Sequence, residues 1–231
     1  MSCKVYLLAH TPNSDEVIAA AARLCYSDAT ASDLLGKELE KPSLRLVEEL
    51  RKSGHDSPFE HASFTFAVDG LSRVASHQLV RHRIASYSQQ SQRYVKMDRM
   101  EIVIPPSIEA NPEARVLFER QTEASHAAYR TLVKMGIPAE DARFILPHGW
   151  ETRLVLTMNA RELLHFYSLR LCRRAQWEIR ELARFMLVLC REAAPAIFSL
   201  AGPSCLVSGE CRESRTCGDP YQSMEDLLAT D

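Results

Sequence analysis

The 231-residue chain is predicted to be α+β, with a small, mostly antiparallel sheet and several long helices. Three observations carry that expectation. Strand-like alternation is confined to short runs, clearest in Ser63–Val68, where Phe64, Phe66 and Val68 share a face. The helical runs are longer and well punctuated, as by Asn111 before Pro112 and Gly136 beyond. No internal repeat, low-complexity tract or linker interrupts them, so residues 1–231 read as one domain, a core to about 198 and a polar tail over 199–231.

The elements follow in order. Val5–Ala9 is a short apolar strand, and Asn13 or Ser14 can cap a helix to about Cys25. Ser43 begins a second helix with Leu44, Val47 and Leu50 on one face and Gly54 as its stop. His55–Ala62 reads as a loop, Asp69-Gly70 as a turn after the Ser63 strand, and Leu71–Val80 as a helix. Arg81–Tyr94 is a polar stretch. Short strands are expected at Val95 and Glu101–Ile104, halted by Pro105-Pro106. The helix after Asn111 has an apolar stripe of Leu117, Ala124, Ala128, Leu132 and Met135. Pro138 starts a short helix carrying Glu140 and Arg143. Trp150–Met158 suggests a strand, and Asn159 with Glu162 caps a helix to about Leu171 that buries Leu163, Phe166 and Leu169. A last helix, Gln176–Ala194, presents Ile179, Leu182, Met186 and Leu189 before Pro195 ends it, and the tail beyond Ser199 is expected to be loose.

Composition narrows the function. Lys and Arg total 28 against 30 Asp and Glu, a net charge of −2, which argues against a general nucleic-acid binder. No apolar run approaches a bilayer span, and the apolar part of MSCKVYLLAH is too short for a signal peptide, so no membrane role and a cytoplasmic location are expected. Seven cysteines without a secretion signal read as reduced thiols.

Against that balance the cations of RHRIASYSQQSQRY are local. Arg81, Arg83 and Arg93 are costly to gather unless an anion sits among them, and Ser86, Ser88, Gln89, Gln90 and Ser91 add neutral donors. In HDSPFEH, His55 and His61 flank Ser57 and Glu60, but their spacing matches no metal site. In NARELLHFYSLR, Asn159 stands at a helix start and Arg161 and His165 share a face. Cys205, Cys211 and Cys217 are evenly spaced but lack the fourth ligand and close pair of a structural zinc site, so reduced tail thiols are expected; Cys172 stands near Arg170. Two other classes are open to these residues. One is an RNA-binding module using Arg81, Arg83, Arg93 and Tyr94, and the other a metal-dependent hydrolase built on His55, His61 and His82.

Arg81-His82-Arg83, seven residues and then Ser91 match the RHR-x7-S signature, and the chain here resembles the flavin-dependent thymidylate synthases. HDSPFEH, Gln78, Leu146-Pro147, TMNARELLHFYSLR and AQWEIR (Ala175–Arg180) resemble the same family in the same order, from about residue 20 to 195. The resemblance implies the thymidylate synthase-complementing fold and a methyltransferase that converts dUMP to dTMP. The carbon would come from 5,10-methylenetetrahydrofolate and the reducing equivalents from NADPH through FAD. It also implies a homotetramer with shared active sites. It places His55, Ser57, Arg81, His82, Arg83, Gln89, Asn159, Arg161 and His165 at FAD. It places Gln78, Arg81, Gln89, Gln90, Ser91, Arg93, Arg143 and Arg170 at dUMP, with Arg170 as the catalytic group beside the uracil. Many members carry Glu at the position of Gln89 and Asn at that of His165. No metal is implied.

Overall fold

The structure is a computed structural model and describes residues 3–229. Four strands, β1 (Lys4–His10), β2 (Ser63–Ser72), β3 (Ala85–Gln89) and β4 (Glu151–Asn159), form one sheet in the order β1-β2-β4-β3. The Thr11 amide donates to Ser63 O at one end of the β1/β2 pair, and Cys3 lies beside Gly70 at the other. Likewise the Ala160 amide donates to Ala62 O and the Arg73 amide to Trp150 O. Numbers rise on one strand as they fall on the other, so both pairs are antiparallel. The helices are α1 (Ser14–Leu24), α2 (Ala31–Glu40), α3 (Leu44–Ser53), α4 (Arg73–Leu79), α5 (Pro106–Glu109), α6 (Pro112–Lys134), α7 (Ala139–Ala142), α8 (Ala160–Arg170), α9 (Trp177–Ala193), α10 (Pro195–Phe198), α11 (Ser204–Val207) and α12 (Met224–Leu228). The class is α+β, as expected. Among the described residues no helix is long and apolar enough to cross a membrane.

Contacts group the chain into two units. One comprises the described residues to Lys4, Val68–Val80 and Ser88–Leu154; the other comprises Val5–Ala67, Arg81–Tyr87 and the described residues from Val155 onward. β2 and β4 each pass along the chain from one unit into the other. Their alternation is the one the sequence predicts: Phe64, Phe66 and Val68 are fully buried, as are Thr152, Leu154, Leu156 and Met158 on β4.

In the first unit the core joins Met97, Tyr129, Ala142, Leu146 and Trp150. The expected stripe on α6 is displaced: Leu117 and Met135 are exposed, and the buried positions are Thr122, His126 and Tyr129. Polar groups are tolerated there because they are answered. His126 Nε2 bonds Met97 O at 2.8 Å, and the Met97 amide donates to Tyr129 Oη at 3.2 Å. Asp69-Gly70 is not a turn. β2 runs through it with Gly70 at φ 77°, and Ser72 then caps α4 by accepting from the Ala75 amide. The strands expected at Val95 and Glu101–Ile104 reduce to one antiparallel bridge, Ile102 to Trp150, because the Ser91 carbonyl turns the chain by accepting from Tyr94 and Val95. Pro106 begins α5 instead of only halting the chain.

In the second unit α8 and α9 bury Leu163, Phe166, Ile179, Leu182, Met186 and Cys190, while Phe198 of α10 meets Phe64 edge-on. Leu44 and Leu169 are exposed and Leu189 is half-buried, against expectation, because each faces away from the packed side that Val47, Phe166 and Cys190 occupy. α1 begins at Ser14, but Asn13 enters at φ 51° without a side-chain cap, and the Ser14 hydroxyl donates to Thr11 O instead. The loop after His55 winds into a 3₁₀ turn over Ser57–His61. Helix α2, unmarked in the sequence reading because it is mostly polar, is capped by Thr30. The tail is packed in part, while residues 207–220 are exposed. Ala201, Tyr221 and Leu227 are buried, and the Arg173 guanidinium lies 4.1 Å from the Tyr221 ring centroid. Residues 230 and 231 of the expected tail lie outside the described ones. Pro195 stops α9 and opens α10, whose amides at Ala196 and Ile197 donate to the buried Asp15 carboxylate at 3.1 and 3.0 Å.

Candidate active site

In the second unit the chemistry centres on His82. The histidine is 4% exposed and sits between two elements of α8. Its Nδ1 lies 3.1 Å from Glu162 Oε1, and its Nε2 lies 3.1 Å from Arg170 Nε. A guanidinium Nε–H can only donate, so Nε2 accepts and the ring proton belongs on Nδ1, pointing at the carboxylate. Burial, then the charges of Arg170 and His165, push the His82 pKa down to about 4, which keeps the ring neutral. Phe166 packs edge-on at 4.9 Å, and the Tyr87 hydroxyl donates to His82 O at 2.9 Å. Burial also raises the Glu162 carboxyl and the Tyr87 phenol above their ordinary values and lowers Arg170.

The sequence explains how these groups meet. Helix α8 starts where the Asn159 side chain accepts from the Glu162 amide at 2.9 Å. That cap places Glu162 on the first turn, facing inward, and Arg170 on the last. Asn159 thus spends its oxygen locally, and its NH₂ group remains for other contacts. Arg161 and His165 lie on the outer side, both exposed; Arg161 pairs with Glu60 of the 3₁₀ turn, next to exposed His55 and Ser57. Arg81 and Arg83 are exposed on either side of buried His82, and among the described residues neither has an acidic partner.

In the first unit Gln89, at the end of β3, donates both amide hydrogens: Nε2 lies 3.1 Å from Ser76 Oγ and 3.1 Å from Thr152 Oγ1. Its carbonyl oxygen is left to accept. Ser91 Oγ takes the Arg93 amide at 3.2 Å, and Arg93 Nε meets Glu140 at 2.9 Å. Arg143 Nε donates to Glu140 O, and the half-buried Arg73 donates to Gln90 O at 3.1 Å. Burial first, and then Arg143, lower the Arg73 pKa, and its buried Nε has no protein partner. A buried Nε–H without a protein acceptor is a donor open to a ligand. Gln78 is half-buried on α4.

The structure therefore gathers His82, His165 and Arg170 in one unit and Gln89, Ser91, Arg93 and Arg143 in the other. Residues 85–89, expected as polar loop, form β3, since backbone pairing at the sheet edge needs no apolar side chain. Glu162, Tyr87, Arg73, Ser76, Thr152 and Glu140 were absent from the sequence-derived set. Glu162 carried a signal, its capping position, but nothing local tied it to His82, 80 residues away.

One unit thus presents a neutral, buried histidine against the half-buried Arg170, and the other a set of arginines near a hydrogen-bonded glutamine. A family model described as thymidylate synthase complementing protein matches residues 6–196. The chain is 52% identical over 218 residues to a flavin-dependent thymidylate synthase of Geobacter sulfurreducens, covering 93% of this chain and 94% of that one. It is 44% identical over 235 residues to the Clostridium tetani protein of the same description, covering 94% of each, and 46% identical over 230 residues to that of Nitratidesulfovibrio vulgaris, covering 93% and 94%. The chain belongs to the thymidylate synthase complementing protein family.

Proposed function

We propose that this chain catalyses the reductive methylation of dUMP to dTMP. In balance, dUMP, 5,10-methylenetetrahydrofolate, NADPH and a proton yield dTMP, tetrahydrofolate and NADP⁺. The observation that carries this reading is the Glu162–His82–Arg170 chain. Uracil C5 is a weak nucleophile, and a guanidinium fixed beside the ring stabilises the negative charge that must develop there. His82 fixes Arg170 through its Nε, and Glu162 fixes His82. The arrangement needs no thiol adding to the ring, and Cys172 lies instead with the tail cysteines.

The exposed pair Arg81 and Arg83, without acidic partners among the described residues, fits a pyrophosphate-bearing cofactor. FAD, when bound, supplies the hydride chemistry of the reduction. We assign its binding to Arg81, His82 and Arg83 with His55, Ser57, Asn159, Arg161 and His165, His82 acting from beneath through its neighbours because its own ring is buried. Gln89, with its carbonyl free to accept, suits either a flavin or a uracil N–H. Gln78, Gln90, Ser91, Arg93 and Arg143 with Arg81 and Arg170 would hold dUMP, and Arg73 adds a cation for its phosphate. We take the chain to act as one domain in a cytoplasmic homotetramer with pooled sites; the seven free thiols support a reducing compartment. The test is tritium release from [5-³H]dUMP with NADPH and methylenetetrahydrofolate, beside an absorbance spectrum. A flavin band and folate-dependent release are expected, and their absence refutes the reading.

A further inference from the structure

At the C-terminal end of α8, four of the seven cysteines line one concavity in the second unit. Cys172 follows α8, Cys205 lies on α11, and Cys211 and Cys217 lie between α11 and α12. Two of the thiols already receive backbone amides in the same way. The Arg174 N–H donates to the Cys172 sulfur and the Asp219 N–H to Cys217 Sγ at 3.4 Å, each from two residues further along the chain. At Cys217 the turn depends on Gly218 at φ 80°, which a side chain would strain.

The loop is brought to Cys172 by cations of the α8–α9 turn. Arg173 pairs with Asp226 at 3.2 Å and lies over Tyr221; Arg174 donates to Arg215 O at 2.7 Å and pairs with Glu213 at 3.3 Å. The Arg212 amide donates to Ser204 Oγ at 3.1 Å, holding the segment between Cys205 and Cys211. Three of these cysteines lie beyond the span that the family model matches, and none of the four is among the residues assigned above to the methylation.

We propose that Cys172, Cys205, Cys211 and Cys217 form a four-thiolate site for a soft divalent cation, Zn²⁺ first, with a structural role. Four sulfur ligands around one ion satisfy the tetrahedral preference of zinc, and the three evenly spaced tail cysteines find in Cys172 the fourth that their own segment lacks. Among the described residues no three such donors already stand as a ligating group. The metal therefore draws the loop in as it binds, the usual coupling of thiolate sites to local folding. Binding replaces four S–H bonds with four S–Zn bonds and releases four protons. The site then carries a net charge of −2, beside Arg173 and Arg174. No oxidant is required.

The experiment strips the full chain with chelator under reductant and titrates it anaerobically with Co²⁺, then Zn²⁺. One Co²⁺ per chain with thiolate charge-transfer and tetrahedral d–d bands is expected, displaced by Zn²⁺. Cys211→Ser and Cys217→Ser should each weaken binding by at least the ~10-fold that loss of even an outer partner costs. On the unmodified chain, Zn²⁺ should protect Cys172, Cys205, Cys211 and Cys217 from alkylation and leave exposed Cys25 reactive. No bound metal, affinity unchanged in the two variants, or protection at other cysteines overturns the proposal.

Discussion

Glu162→Ala should uncouple Arg170 without touching it. The carboxylate and the His82 ring are only 8% and 3% exposed as side chains, so their 3.1 Å contact is little screened. Truncation leaves the Nδ1–H of His82 buried without an acceptor, at a cost of ~2 kcal/mol. For a chain of 231 residues that corresponds to a fall of roughly 4–8 °C in Tm. With its proton unanchored the ring can turn or change tautomer, and Nε2 then no longer accepts from Arg170. Turnover should fall ~10- to 100-fold, the scale of a displaced electrostatic group, with KM for dUMP changed far less. Glu162→Gln keeps an oxygen acceptor at the same reach and should recover most of the lost rate. Tritium release and thermal melts on the flavin-loaded protein measure both effects. If Glu162→Ala turns over like the parent, or Glu162→Gln is as slow as Glu162→Ala, His82 does not direct Arg170 through this contact.

Three further outcomes are expected. Arg170→Ala should lose ~10²-fold or more in turnover while retaining flavin absorbance, and Arg170→Lys should rescue little because it lacks the Nε–H that His82 accepts; near-normal dTMP formation in either would remove Arg170 from the mechanism. His82 is pushed down to about 4 in the folded chain, against an ordinary 6.5, so its contribution is complete above pH 6.5 and is lost as pH falls toward 4. That loss amounts to roughly 3 kcal/mol, partly offset by Glu162, whose raised pKa acts with the opposite sign. Urea midpoints of the parent minus those of His82→Asn should show this slope, and parallel pH profiles would contradict it. Gln89→Ala removes the donor to buried Ser76 Oγ, which keeps its bond to Arg73 O, and to buried Thr152 Oγ1, and should cost ~1–2 kcal/mol in stability while raising KM for dUMP, read by denaturation and steady-state kinetics.

Much of the molecule is legible where the determinant is local. Asn111 and Asn159 cap their helices with side-chain oxygens, and the period-two pattern of Phe64, Phe66 and Val68 sets the buried face of β2. The ordered motifs from HDSPFEH to AQWEIR likewise carried the family, because each is a short run of adjacent residues. Composition also singled out the Arg81–Tyr94 stretch as a local gathering of cations, though not the strand β3 that crosses it.

Tertiary structure alone decided what depends on partners distant in sequence. Which face of α6 is buried follows from the backbone of Met97 answering His126 and Tyr129, not from the apolar stripe. That His82 is buried between Glu162 and Arg170, through a pair 80 residues apart, is a placement that only the fold supplies. Arg73 drew no notice in the sequence, and only the fold buries it where the charge of Arg143 bears on it. That Cys205, Cys211 and Cys217 line one concavity with Cys172 follows only from the fold, which ties the tail loop to Arg173 and Arg174. In each case the residue type was visible but its environment was not, because burial and charge pairing are properties of the neighbours that folding supplies.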